Sequence, residues 1–164
     1  MTRKNPMPEL LRHWREAVPD DRLAHLIRDV ARAQMRALQL RLAEHDVSFG
    51  HWTFLRILWL KDGLTQRELS ELAGVMEPTT FAAVKAMEQM GLVERRQLAG
   101  NRKNMHVFLT RSGRALQKKL VPLAEEVNHV SVAGSTEAQV QAMRQFLLLM
   151  LENLAADAAG QPPA

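Results

Sequence analysis

Apolar residues recur every three or four positions along most of this chain, and the runs break at proline, glycine or a Ser/Thr cap. Glu9–Val18 predicts a short helix ended by Pro19. Asp20 then offers an N-cap, and Leu23, Leu26, Ile27, Val30, Ala33, Ala37 and Leu40 follow at helical spacing. That spacing predicts a long helix over 21–45. Ser48 caps a second helix, over 49–61, with Val47 placed to staple onto Trp52. Its segment WTFLRILWL is apolar nearly all round, which predicts a central position.

Asp62-Gly63 ends that helix, and Thr65-Gln66-Arg67-Glu68 is a complete capping box with Leu64 and Leu69 as its staple. This helix is short, stops at Ala73-Gly74, and another begins at about Met76. Two helices joined by a tight glycine-containing turn form a helix-turn-helix candidate. After Gly91 the period changes. Leu92–Arg96 and Met105–Leu109 alternate in part, and QLAGNRKN lies between them. This reads as a β-hairpin, which directly after a helix-turn-helix is a wing. Thr110 caps a helix carrying Leu116, Leu120, Leu123 and Val127, in which Pro122 introduces a kink or removes one hydrogen bond. Gly134 breaks it. Thr136 with Gln139 opens the last helix, where Val140, Met143, Leu147, Met150 and Leu154 form a 3-4-3-4 seam that needs a partner.

These blocks, LTQRELSELAGVMEPTTFAAVKAMEQMGLVERRQLAGNRKNMHVFLTRSGRAL, resemble the MarR family of regulators from about Leu64 to Leu116. LTQ-x-EL, GV-x-x-PT, GLV-x-R and LT-x-x-G-x-x-L occur in the family's order. The resemblance implies a mainly α fold with a small β-hairpin wing, that is, a winged helix-turn-helix flanked by N- and C-terminal dimerisation helices. It implies a homodimer on double-stranded DNA at a pseudo-palindromic operator, usually as a repressor, often released by a small aromatic or phenolic molecule. The corresponding partition is 1–45 for tail and dimerisation helices, 46–112 for the DNA-binding domain, 113–159 for C-terminal dimerisation helices and 160–164 for a disordered tail. The chain departs from the family where Met76 replaces a polar N-cap and where Asn101 stands at a wing position often held by Asp.

The helix VMEPTTFAAVKAMEQMG raises a difficulty, because Lys85 is its only basic residue. On a helical wheel Thr80, Ala83, Val84, Met87 and Gly91 face inward, while Pro78, Ala82, Lys85 and Gln89 lie opposite. Thr79 and Phe81 sit on the flanks. Phe81 is either a core aromatic or a contact to a thymine methyl. Thr79, Thr80 and Lys85 are the other candidate DNA contacts on this helix, and its N-terminus offers a positive pole to phosphate. The charge lies elsewhere: Arg95, Arg96, Arg102 and Lys103 cluster on the wing, and Arg67 starts the preceding helix. Arg102, at the wing tip, is the best single candidate, suited to a minor groove.

Composition narrows the remaining choices. The chain has 164 residues, 46% of them apolar, and a net charge of +4. The sequence pI is about 10.0. With no cysteine, disulfides, thiolate metal sites and cysteine nucleophiles are excluded. The six histidines include no His-x-x-x-His pair, so no metal is expected. No cofactor, catalytic constellation, membrane span or secretory signal is expected, and a cytoplasmic location fits. Arg28, Arg32, His51, Trp52 and Phe54 are candidates for holding an aromatic carboxylate, since the resemblance places the start of the helix over 49–61 beside an effector pocket. The bland reading of His51 is packing against the dimer helices. The alternative for the whole chain is a winged-helix module that binds protein and not DNA.

Overall fold

The computed structural model describes Leu11, Arg12, Trp14 and residues 23–98 and 101–161, with the side chains of residues 101–103 excepted. Of the short helix expected over 9–18, Leu11, Arg12 and Trp14 are described and helical; its other residues and most of the tail 160–164 lie outside the described residues. The fold is mainly helical with one small three-stranded sheet. The chain divides into two compact units, residues 1–124 and 125–164. This cut falls within a helix, and not at the 112/113 boundary of the functional partition.

In the first unit, α1 (Leu23–Ala43) and α2 (Phe49–Leu60) match the expected helices to within two residues. The Ser48 hydroxyl accepts the His51 amide at 3.1 Å, so the cap is formed as its residue type dictates. Trp52, Phe54, Leu55 and Leu58 are buried, and Trp52 meets Trp59 edge to face at 5.6 Å. The helix is not covered all round, since Arg56 and Leu60 face outward. The strand β1 (Leu64–Thr65) leads into α3 (Gln66–Ala73), and α4 (Glu77–Gln89) follows. Then come β2 (Val93–Leu98), β3 (Asn101–Leu109) and α5 (Arg111–Ser131). The sheet order is β1-β3-β2, all antiparallel. Leu64 pairs with Val107, and Val93 pairs with Leu109 at the wing's base. The register shifts between Gln97 and Leu98. The hairpin runs further toward its tip than side-chain alternation suggests, because the backbone ladder continues through polar residues.

The base of the wing is tied to the helices by a small set of contacts. Asp62 Oδ1 accepts the amides of Gly63 at 3.0 Å and Leu109 at 2.9 Å. Its other oxygen meets Arg114 of α5 at 2.8 Å. The Trp59 indole N–H donates to the Gly113 carbonyl at 3.0 Å. Thr110 caps α5 as expected, accepting the Gly113 amide at 3.1 Å, and its hydroxyl donates to Gly91 at 2.6 Å. Gly63 has φ 74°, and a β-carbon there would lie 2.6 Å from the Phe108 ring.

In the second unit α5 ends and α6 (Glu137–Ala158) begins at a complete Thr136/Gln139 capping box. Pro122 lies inside α5 without ending it. No residue of α6 is buried, and Met143, Phe146, Leu147, Leu151 and Leu154 are exposed. In α1, Leu23, Leu26, Val30 and Leu40 are exposed as well. Apolar rows of this length on a single chain mark interaction surfaces.

Gly113 provides a test of the wing's base. A β-carbon there would lie 2.1 Å from the Leu92 carbonyl oxygen, a backbone atom with little freedom to yield. Gly113→Ala is expected to cost about 1–3 kcal/mol and to lower Tm by roughly 3–10 °C at fixed protein concentration. An unchanged thermal transition would show that this junction tolerates movement.

Candidate nucleic-acid interface

The turn between α3 and α4 is fixed at both ends. Thr65 and Glu68 form the reciprocal capping box, with the Thr65 amide and hydroxyl both bonded to the Glu68 carboxylate at 2.8 Å. Those bonds, the amide's foremost, hold Glu68 below the usual carboxylate range. Gly74 adopts the left-handed conformation, φ 65°, that closes α3. The Ser70 and Thr80 hydroxyls then share a buried hydrogen bond of 2.8 Å between the two helices.

That bond corrects one expected DNA contact. Thr80 is 0% exposed, so its hydroxyl serves the helix crossing and is not available to DNA. Phe81 is 49% exposed, which removes the core reading. Thr79, Ala82, Lys85 and Gln89 are exposed, whereas Val84 and Met87 are buried. The outward face of α4 therefore carries one aromatic ring, small or uncharged polar side chains and one cation, Lys85. Its N-terminus is a poorer phosphate site than its position suggests. Pro78 has no amide hydrogen, Thr79 and Thr80 both donate to the Met76 carbonyl, and Glu77 adds negative charge. Met76 is the N-cap and makes no side-chain capping bond, as its thioether dictates.

The basic residues separate into two kinds. Arg67 is exposed and pairs with Glu71 at 3.0 Å, an exposed contact weak enough for a phosphate to replace. Arg96 is half exposed, lies 4.2 Å from the Phe108 ring centroid and pairs with Glu94 at 3.2 Å. Arg95 is different. Its Nε and Nη2 both donate to Glu88 Oε2, at 3.0 and 2.6 Å, and its amide donates to Glu88 Oε1 at 3.3 Å. Its guanidinium also lies 5.8 Å from the Phe81 ring centroid. The expectation of Arg95 as a free DNA contact is corrected: it is a brace between α4 and β2. Arg102 and Lys103 have their backbone in β3, and their side chains lie outside the described residues.

Sequence reasoning missed Glu88. The signal was present, since an acid in the last turn of a helix opposes the helix dipole and needs a cation nearby.

The candidate effector residues divide similarly. Trp52 and Phe54 are buried core, covered by the protein itself, which corrects their assignment as open ligand contacts. Arg28 pairs with Asp29 at 3.2 Å, and Arg32 is exposed. Burial lowers the His51 pKa, so its imidazole is neutral at pH 7 and cannot act as a fixed cation for a carboxylate. Its Nδ1 is buried without a hydrogen-bond partner. Among the described residues no group of three His, Cys, Asp or Glu is arranged to hold a metal, and no helix is long and apolar enough to cross a membrane.

Comparison with known proteins gives the same outline. Residues 47–105 match the model of the MarR family. The chain is 27% identical over 139 residues to the HTH-type transcriptional regulator TtmR of Methylorubrum extorquens, covering 85% of this chain and 70% of that one. The crystal structure of transcriptional regulator PA3341 is 30% identical, with TM-score 0.71 over 80% of this chain and 97% of that one. A MarR family regulator from Listeria monocytogenes, solved with 26mer DNA, is 25% identical with TM-score 0.74, covering 88% and 99%.

The Glu88–Arg95 pair makes stability depend on acid. The guanidinium holds Glu88 below its ordinary value of 4.5 in spite of partial burial. A depressed carboxylate contributes stability that is fully present above the unfolded value and lost as pH falls through the lower folded one. Glu88→Gln is expected to cost roughly 0.5–1 kcal/mol at pH 7, a figure reduced by solvent screening at this partly exposed pair. The difference in Tm from the parent should shrink as pH falls below about 4.5. A difference that stays constant from pH 7 to pH 3 would rule the pair out as its source.

Proposed function

The chain belongs to the MarR family and is a DNA-binding transcriptional regulator, not an enzyme, and we propose that it acts as a homodimeric repressor. In this reading α4 of each subunit enters a major groove, and the two grooves lie about one helical turn apart on a pseudo-palindromic operator. The wings reach the flanking minor grooves through Arg102, with Arg96 and Lys103 on phosphate. Arg67 meets phosphate at the start of α3. Thr79, Phe81 and Lys85 contact base edges or the adjoining backbone. A dimer seated across a promoter blocks transcription by occupancy. The protein works in the cytoplasm, where DNA is accessible.

The observation that carries this reading is the outward face of α4, with Phe81 and Lys85 exposed beside a hairpin rich in arginine. The exposed apolar rows of α1 and α6 support dimerisation through the terminal helices. A small ligand, an aromatic or phenolic acid, releases the operator by favouring one dimer geometry over another. His51 Nδ1 supports such a site, because a buried polar atom without a partner is satisfied when a ligand group bonds to it. Arg32, which is exposed, supplies the charge. The rival reading, a protein-binding module, gives no reason for the basic wing.

Sequencing the DNA fragments that the protein retains tests this directly. The expected result is a two-fold symmetric motif whose enrichment falls when an aromatic acid is added. Retention without any enriched motif would contradict it. Arg102→Ala is expected to weaken binding to the enriched fragment at least tenfold while the dimer stays intact, read by anisotropy titration and sedimentation. Unchanged affinity would remove Arg102 from the interface.

A further inference from the structure

We propose that Arg95 is a positioning residue for base reading: Glu88 holds its guanidinium where it fixes the exposed ring of Phe81, so that β2 sets the angle at which α4 presents that ring to a thymine methyl. The proposal rests on the DNA-binding reading above. It goes beyond it by assigning a role in specificity to two residues that do not touch DNA.

The geometry follows from helical spacing. Phe81 and Glu88 are seven residues apart, two turns of α4, and so lie on one face. Arg95 reaches that face from β2. Both of its bonded nitrogens, Nε at 3.0 Å and Nη2 at 2.6 Å, converge on one Glu88 oxygen. The backbone amide of Arg95 binds the other oxygen at 3.3 Å, which fixes the carboxylate as well as the guanidinium. The guanidinium also lies over the Phe81 ring, with the ring centroid 5.8 Å from the Arg95 central carbon. The Arg95 side chain is only 24% exposed, and swinging toward a phosphate would break both of its hydrogen bonds to Glu88. Phe81 is half exposed and lacks a closed pocket of its own. An aromatic ring in that position samples several rotamers unless a neighbour selects one. A cation held near the ring selects one, and a ring already in its bound rotamer loses less freedom on binding.

The test uses the duplex enriched by the full-length protein, with each thymine replaced singly by deoxyuridine, which removes only the methyl group. Binding is measured for the parent, Phe81→Ala, Arg95→Met and Glu88→Gln, each checked for a cooperative thermal transition. The parent is expected to lose roughly fourfold in affinity at the contacted thymine, the value of one buried methyl. Phe81→Ala should lose this sensitivity. Arg95→Met and Glu88→Gln should lose most of it, falling to less than twofold. Glu88→Gln is the milder change and keeps the inference testable if Arg95→Met folds poorly. A full uracil penalty in both folded variants would overturn the proposal. So would an equal loss on thymine and uracil duplexes with a shallower salt dependence, which marks Arg95 as a phosphate contact. A parent protein that binds tightly without sensitivity to any uracil also overturns it. Failure of the parent to select any duplex overturns the DNA-binding reading itself.

Discussion

The carboxylate of Asp62 joins three elements at one point. One oxygen accepts two amides, from Gly63 and Leu109, and the other pairs with Arg114. The end of α2, the end of β3 and the first turns of α5 therefore meet at one side chain. The wing is a two-stranded hairpin, and a hairpin alone is marginal in water. Its rigidity comes from this junction, from the short strand β1 and from Phe108 packed against Gly63. His106 adds a further link, with Nδ1 2.9 Å from the Gly63 carbonyl. The position of every wing side chain relative to α4 depends on these contacts.

Charge and shape are divided between elements. The outward face of α4 carries Lys85 and little other positive charge, and Glu77 opposes it at the N-terminus. A helix of this kind cannot provide the electrostatic part of DNA affinity, which scales with the number of phosphates neutralised. It can provide apolar contact and small hydroxyls at base edges. The wing and α3 carry the exposed arginines Arg96 and Arg67. Arg95 belongs to neither group, since its charge is satisfied within the protein by Glu88. Counting basic residues along the chain therefore overstates the charge offered to DNA.

Much of this was legible in the sequence because it is local. The Thr65/Glu68 and Thr136/Gln139 boxes are formed as their spacing requires. The missing side-chain cap at Met76 is likewise a matter of residue type. The helical wheel of α4 separated Val84 and Met87 from Lys85 correctly. The features that escaped are contacts between one element and another, whatever their separation along the chain. The strand β1 has two residues and no periodicity of its own, and exists because Leu64 and Thr65 meet β3 more than forty positions later. The sequence places Thr80 both on the inward face and among the candidate DNA contacts, and its bond to Ser70 decides between them. Arg95 looked like its neighbour Arg96 in the sequence, yet alternation along β2 turns the two to opposite faces. The effector site was least legible, because an aromatic on α2 reads the same whether it lines a pocket or fills a core, as Trp52 and Phe54 do.

In the proposed mode of binding α4 reads bases while other elements hold the charge. The salt dependence of affinity tests this mode most directly, compared between the parent and Phe81→Ala on the enriched duplex and on an unrelated one. Parallel plots of log K against log salt are expected for the two proteins, because Phe81 neutralises no phosphate. Phe81→Ala is also expected to narrow the preference between the duplexes by at least about fivefold. An altered slope with the preference intact would contradict this mode.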